Sequence, residues 1–484
     1  MSSPARYDVR MRRRVLTVVL VIIIIVAATA VFVSRPWLTP LERVVRRSPP
    51  TGLKVVIVGI DGATFRVMDP LLAAGRLPTF AKVIASGLRA PLRSEEPIIS
   101  PALWTSMATG KPREAHGILD FVTHKDPRQP RGVLVSSTDR RVLALWNIAS
   151  AFGRQVGFIG WWATWPAEPV NGFMVSDRFT RERWNEWAGG SEKHRKVFPE
   201  SLSAELEPLV VDPLNPPMNE IAGLVDLTSQ ERAEFKTAVK PIFAHGFSVF
   251  KFAYCSQRTY EEAALHLLPK GQPDLVGLYL VATDPVSHCF WHFYEPEAYS
   301  GVDPQQAERL GKIIPGMYEH NDAFLARLLT TLGKDTVVLI ISDHGFQASG
   351  KLPALRAAPE LFKGPEAELA ARNGMIAVGQ SGMHHIEGIL IAMGGPIIPG
   401  AKVEASIRDI PPTVLALLGL PVPEDMNGRV LAEILDPEFL ARHPIRHIAS
   451  YETLIDRKAW IAAETGDGSG EEKLELLRSL GYIQ

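Results

Sequence analysis

Several short stretches of the chain gather residue types that bind cations and support group transfer. Asp61 ends the run KVVIVGID, Asp284 ends DLVGLYLVATD, and Asp343 ends DTVVLIISD with His344 directly after it. His288 follows Asp284 by one helical turn in TDPVSH, and His384 adjoins His385 in GMHHIEG. Carboxylates and imidazoles in this mixture suit zinc or manganese. Three carboxylates brought together would repel one another unless cations neutralised them. Each feature alone has an ordinary explanation: Asp-Gly and Asp-His-Gly are turn sequences, and Asp284 before Pro285 is a helix cap. Their recurrence at three successive strand ends, with histidines beside two of them, favours a metal site.

A nucleophile is on offer in ISPALWTSMATGKPREAHGI. Ser100 at the N-cap, Pro101 at the first helical position and Gly110 beyond the end predict a helix. As a plain cap, Ser100 would only satisfy a backbone amide. The same position suits a developing anion, and contact with a cation would lower the hydroxyl's pKa.

The elements that must position these residues are legible as apolar runs. Residues 54–61, 155–162, 274–284, 335–343 and 388–395 read as buried strands with helix-like stretches between them. This alternation predicts an α/β fold, a mostly parallel central sheet with helices on both faces. Ligands of such sheets bind beyond the carboxyl ends of the strands, where the aspartates stand. The stretch from about 165 to 270 is rich in Trp, Pro and charge, lacks the strand–helix rhythm, and is expected to be an inserted cap. GWWATWP (160–166) and Trp104 are expected either to pack that cap or to wall a substrate pocket.

The N-terminus predicts a membrane anchor. Arg10, Arg12, Arg13 and Arg14 precede an apolar run over 15–34, and about 20 residues span a bilayer. The arginines favour a cytoplasmic N-terminus with the rest of the chain exported, into the periplasm if the source is bacterial. A cleavable signal peptide, with Ala28-Thr29-Ala30 as its cleavage site, is the competing reading. The expected organisation is a basic tail at 1–14, the span at 15–34, a linker at 35–52 and a catalytic domain at 53–462. A flexible linker and short helix follow at 463–484. Lys plus Arg total 52 against 53 for Asp plus Glu, a balance that gives no ground for a nucleic-acid polymer as partner. Cys255 and Cys289 are too few for a disulfide framework, though one bridge or two free thiols fit equally.

The ordered motifs VGIDG, SPALWTSMATGKPREAHGI, TDPVSH, ISDHG and GMHHIEGILI are jointly specific, and RDIPPTVLALLGLPVPEDMNG closes the series. From about Val55 to about Leu431 the chain resembles the alkaline phosphatase superfamily, and within it the type I phosphodiesterase/nucleotide pyrophosphatase family. The resemblance implies an alkaline phosphatase-like fold and two divalent metal ions, usually zinc, with manganese the alternative. It implies that Asp61, Asp343, His344 and the nucleophile Ser100 hold one ion, and that Asp284, His288 and His384 hold the other. His384, rather than His385, keeps the family's spacing to Gly388. His292, one turn beyond His288, reads as a substrate-facing or supporting residue, or as part of a buried aromatic cluster. The implied reaction is in-line displacement at phosphorus through a phosphoseryl intermediate. The implied substrate is a phosphate ester: a nucleotide, a lipid head group or a glycan phosphate.

The chain also departs from the family pattern. Nucleotide-cleaving members carry Thr at the position of Ser100 and an Asn shortly after it, whereas Pro101, Ala102 and Leu103 follow here. Diester and monoester substrates therefore stay open. Two alternatives to a hydrolase are a phospho-group transferase of the same fold and a non-catalytic binding protein. The complete set of seven positions argues against the latter. A sulfatase is disfavoured because SPALW lacks the arginine of that branch.

Overall fold

The computed structural model describes residues 39–123, 133–180, 195–237, 246–351, 354–356, 376–378 and 380–460. The expected tail, span and terminal helix at 1–14, 15–34 and 463–484 lie outside them. Among the described residues, no helix is long and apolar enough to cross a membrane. The chain divides into two units, 1–48 and 49–484. In the first, part of the expected linker is a short helix, Pro40–Arg46. Thr39 and Glu42 form a reciprocal capping box there, which satisfies two otherwise orphaned amides.

The second unit is built on a nine-stranded mixed sheet. Its strands are β1 (Lys54–Ile60), β2 (Gly87–Arg93), β3 (Val156–Ile159), β4 (Gly172–Val175), β5 (Val197–Phe198) and β6 (Leu275–Leu280), then β7 (Thr336–Ile341), β10 (Glu387–Met393) and β11 (Ala405–Ser406). A separate pair, β8 (Gly345–Ala348) and β9 (Gly382–His385), runs antiparallel. The order in the large sheet is β11-β2-β10-β7-β1-β6-β3-β4-β5. All five sequence-predicted strands are present.

The middle of the sheet is parallel, with β1 between β6 and β7. Its members are buried on both faces, as their continuous apolar sequences require. Val56, Val58 and Ile60 join a core with α1 (Phe65–Ala73), α2 (Pro78–Ala85), α5 (Gly246–Leu267), α6 (Thr283–Tyr294) and α7 (Ile313–Thr330). On the other face Gly59 meets Trp104 of α3 (Ser100–Thr109), α4 (Leu145–Ala151) packs on β3, and α8 (Ile410–Leu417) packs on α3. Gly59 belongs to that second face. A Cβ there would come within 2.5 Å of the Trp104 ring, so the strand admits α3 only because this residue has no side chain.

Three features differ from the sequence expectation. The fifth strand, β10, runs antiparallel to both β7 and β2. The chain enters it directly from β9, without the crossover that a parallel strand needs. Residues 87–93 form a strand that Pro91, Arg89 and Arg93 had masked. Only Leu92 and Arg93 are covered on its outer side by β11, so a proline is tolerated there. The stretch at 165–270 is also partly built into the sheet: it contributes β4, β5 and the core helix α5.

Candidate metal centre and nucleophile

Strand register brings the expected residues together. Ile60 pairs with Leu280, and Gly59 with Ile341, so three parallel strands end at one edge. Asp61, Asp284 and the Asp343-His344 pair follow those ends. The β8–β9 pairing places Phe346 opposite His384 over the same edge. Gly62, at φ 68°, makes the turn after Asp61, and any side chain on it would collide with Phe346.

Two helices add the remaining groups. Helix α6 begins at Thr283, with Ala282 at the cap, so Asp284 lies in the first turn and not at the cap. His288 still falls one turn on. Helix α3 begins at Ser100 with Ile99 at the cap and makes no side-chain capping bond. The predicted capping role of Ser100 is therefore corrected: its hydroxyl is buried and lies 3.3 Å from His344 Nε2.

The atoms converge closely. His344 Nε2 lies 3.4 Å from Asp61 Oδ1, 3.5 Å from Asp343 Oδ2 and 3.6 Å from Asp284 Oδ1. Asp284 Oδ1 is also 3.2 Å from His384 Nε2 and 3.4 Å from His288 Nε2. Asp61, Asp343 and His344 form one potential cation cage, and Asp284, His344 and His384 another. His385 points elsewhere, its Nδ1 accepting the amide of Glu387 at 3.2 Å.

The tautomers follow from the outer partners. His288 Nδ1 donates to the Gly382 carbonyl at 2.9 Å, and His344 Nδ1 donates to the Gly345 carbonyl at 3.1 Å. Burial keeps the His344 imidazole neutral, so its Nε2 carries a lone pair. The His344 lone pair faces three carboxylates with no proton of its own to offer them. Asp61 Oδ1 and both oxygens of Asp343 are buried without hydrogen-bond partners. Orphaned carboxylate oxygens are costly, and a cation among them would remove the cost.

The proton affinities express the same conflict. Burial, reinforced by the charges of Asp343 and Asp284, raises Asp61 well above the ordinary carboxylate range. Burial likewise raises Asp343. Burial acts upward on Asp284 too, but His288 and His384 outweigh it and hold that carboxyl low. Burial, then the neighbouring imidazoles, lowers His344, and burial lowers His384.

Supporting residues were less visible in the sequence. Phe346 wedges its ring among His288, His344 and His384, with centroids 4.7, 5.6 and 5.3 Å away. Ser342 Oγ donates to the His344 carbonyl at 2.7 Å and accepts the Ala63 amide at 2.9 Å, tying two of the strand ends together. His292 Nδ1 lies 2.9 Å from Ser381 Oγ, beside Phe293 and Tyr299. His116 accepts the Ile118 amide on Nδ1, which leaves its Nε2–H to donate to Ser106 on α3. Burial pushes that imidazole down to about 3, so it stays neutral. Trp104, Trp161, Trp162 and Trp165 are buried, and Trp104 meets Trp161 edge-on at 5.1 Å. Cys255 and Cys289 are free thiols.

An α/β sheet with acidic and imidazole side chains gathered at its carboxyl edge, beside a buried serine, defines a hydrolase of phosphoesters once the family match is added. Residues 55–360 match the family model for type I phosphodiesterase / nucleotide pyrophosphatase, and the chain belongs to that family. No curated protein matches the chain. Among solved structures, murine ectonucleotide pyrophosphatase/phosphodiesterase 5 is 14% identical, covering 79% of this chain and 100% of its own at TM-score 0.44. Phosphonoacetate hydrolase from Sinorhizobium meliloti 1021 is 14% identical, with coverage of 75% and 94% at TM-score 0.42. A mutant of the alkaline phosphatase PafA is 12% identical, with coverage of 80% and 99% at TM-score 0.43.

Proposed function

We propose that the protein hydrolyses phosphate esters at a two-cation site, with Ser100 as the nucleophile. The observation that carries this reading is the trio of orphaned oxygens on Asp61 and Asp343 beside the Ser100 hydroxyl and the His344 lone pair. Asp61, Asp343, His344 and Ser100 would hold one divalent ion, and Asp284, His288 and His384 the other. Their oxygen and nitrogen donors suit zinc, with manganese the alternative. When bound, such ions lower the pKa of the attacking hydroxyl and offset negative charge on the oxygens around phosphorus.

The chain's own part is positional. Ser100 Oγ, at the start of α3, attacks phosphorus as the P–O ester bond breaks on the opposite side, and the hydroxyl proton passes by way of solvent to the ester oxygen, which leaves as an alcohol. Water then attacks the phosphoserine, breaking its P–Oγ bond and restoring the hydroxyl. The positive end of the α3 dipole favours the anionic phosphoryl group in both steps. Candidate substrates are a nucleotide, a lipid head group or a glycan phosphate. The apolar run at 15–34 supports a membrane anchor with the catalytic unit outside the cytoplasm.

The test is a purified chain from about residue 53, assayed for bound metal and for turnover of bis-p-nitrophenyl phosphate against p-nitrophenyl phosphate. Two ions per chain with turnover lost in Ser100→Ala supports the proposal. Metal-loaded protein that cleaves neither ester favours a transferase, and protein with neither metal nor turnover sinks the catalytic reading. Protease access to the full chain in spheroplasts and in lysed cells tests the anchor.

A further inference from the structure

Asp61 uses its two oxygens differently. Oδ2 accepts the phenol hydroxyl of Tyr279, while Oδ1 is buried without a partner and faces His344. The phenol is itself held. The indole Nε1–H of Trp162 donates to Tyr279 Oη at 2.8 Å, so the single phenolic proton is free to go to Asp61.

A carboxylate turns easily about its terminal torsion. One fixed bond on Oδ2 stops that turning and aims Oδ1 into the cluster. The ring is braced as well: it meets Trp104 edge-on at 5.1 Å and Trp162 at 6.5 Å. Trp104 lies on α3, which starts at Ser100. Trp162 belongs to the tryptophan-rich stretch that sequence alone left between cap packing and a pocket wall. Its indole instead joins the supports of an acidic site residue.

We propose that Tyr279, oriented by Trp162, is a positioning residue that holds Asp61 as a one-oxygen cation ligand. The proposal rests on the two-cation reading above. Outer hydrogen bonds of this kind fix ligand orientation, and losing one weakens metal binding by about 10–100-fold.

Zinc titration of metal-stripped protein by calorimetry, with thermal unfolding alongside, tests it without recourse to activity. Tyr279→Phe keeps the ring and its contacts. It is expected to weaken one of two zinc sites about 10–100-fold and to leave the other unchanged. Trp162→Phe should weaken the same site by a smaller factor, and it carries the test if Tyr279→Phe does not fold. Asp284→Asn should weaken the other site. Wild-type affinity at both sites of the two aromatic variants overturns the proposal. Equal loss at both sites with a lowered melting temperature also overturns it, since the residues would then serve packing alone. A wild-type protein that takes up fewer than two zinc ions removes the two-cation reading itself, and this proposal with it.

Discussion

Ser100 Oγ and His344 Nε2 lie 3.3 Å apart across 244 residues of sequence, and both are buried. The serine makes no capping bond for its own helix, so its hydroxyl is free for chemistry. As the proposed nucleophile, its loss should abolish turnover while leaving the cation ligands on Asp61, Asp343 and His344. Ser100→Ala is expected to cut kcat by roughly 10³-fold or more with metal content retained. Ser100→Thr keeps a hydroxyl and should keep part of the activity. Steady-state kinetics with metal analysis on each variant checks this. An alanine variant as active as the parent would exclude a phosphoseryl route.

Metal removal should change how stability depends on pH. In the metal-free protein, Asp61 and Asp343 are raised by burial. The folded state then binds protons that the unfolded state has released above about pH 4. Stability from these groups is fully present below that value and falls as pH rises through their folded pKa values. Buried His116, His292, His344 and His384 are lowered and act in the opposite sense below about pH 6.5. The carboxylate contribution is therefore read against Asp61→Asn: between pH 5 and pH 8 the chelator-treated parent should lose more melting temperature, or gain less, than that variant. Metal-loaded protein should lose or reverse that trend, because cations bind the deprotonated forms. Thermal melts of both forms across this range decide the matter.

Much of this site was legible because its chemistry-bearing residues sit at strand ends, where a buried apolar run stops abruptly. Asp61, Asp284 and Asp343 each carry that signature, and register alone then brings them to one edge. Residues that act from within a strand leave no such mark. Tyr279 is one hydroxyl inside LVGLYL, and nothing in that buried run sets it apart. Phe346 looked like ordinary core. The direction of β10 was hidden because an apolar run reads the same both ways, and only its short link from β9 sets the sense. Helix starts shifted by one residue at Ser100 and by two at Asp284, within the usual uncertainty of helix ends.

Gly59 gives a packing prediction. Its missing side chain is the slot into which Trp104 fits, with ring atoms 2.5 and 2.6 Å from where a Cβ would stand. Neither neighbour can yield easily: Gly59 lies in a central strand, and Trp104 is fully buried against Trp161 and Tyr279. Gly59→Ala should destabilise the protein by about 1–3 kcal/mol. It should also push back α3, and with it Ser100, so kcat falls more than stability alone explains. Denaturant unfolding and kinetics on the same preparation separate the two effects. An alanine variant with unchanged stability would mean that the helix slides without cost.

Gln257 holds the entrance of the helix that carries Asp284 and His288. Its side-chain carbonyl accepts the Ala282 amide at 2.9 Å, and its amide group donates to Glu261 and Asn321, each at 2.8 Å. Asn321 donates in turn to Thr283 at 3.1 Å. These side chains are buried, so the network has no water to fall back on. Gln257→Leu keeps much of the volume but leaves the Ala282 amide and the Glu261 carboxylate short of a partner. The expected cost is about 1–3 kcal/mol in stability. Ala282 caps α6, so the same change should weaken the cation site that includes Asp284 and spare the one that includes Asp61. Zinc titration of the variant reads this split. Equal affinity at both sites, with only the stability lowered, would restrict Gln257 to a packing role.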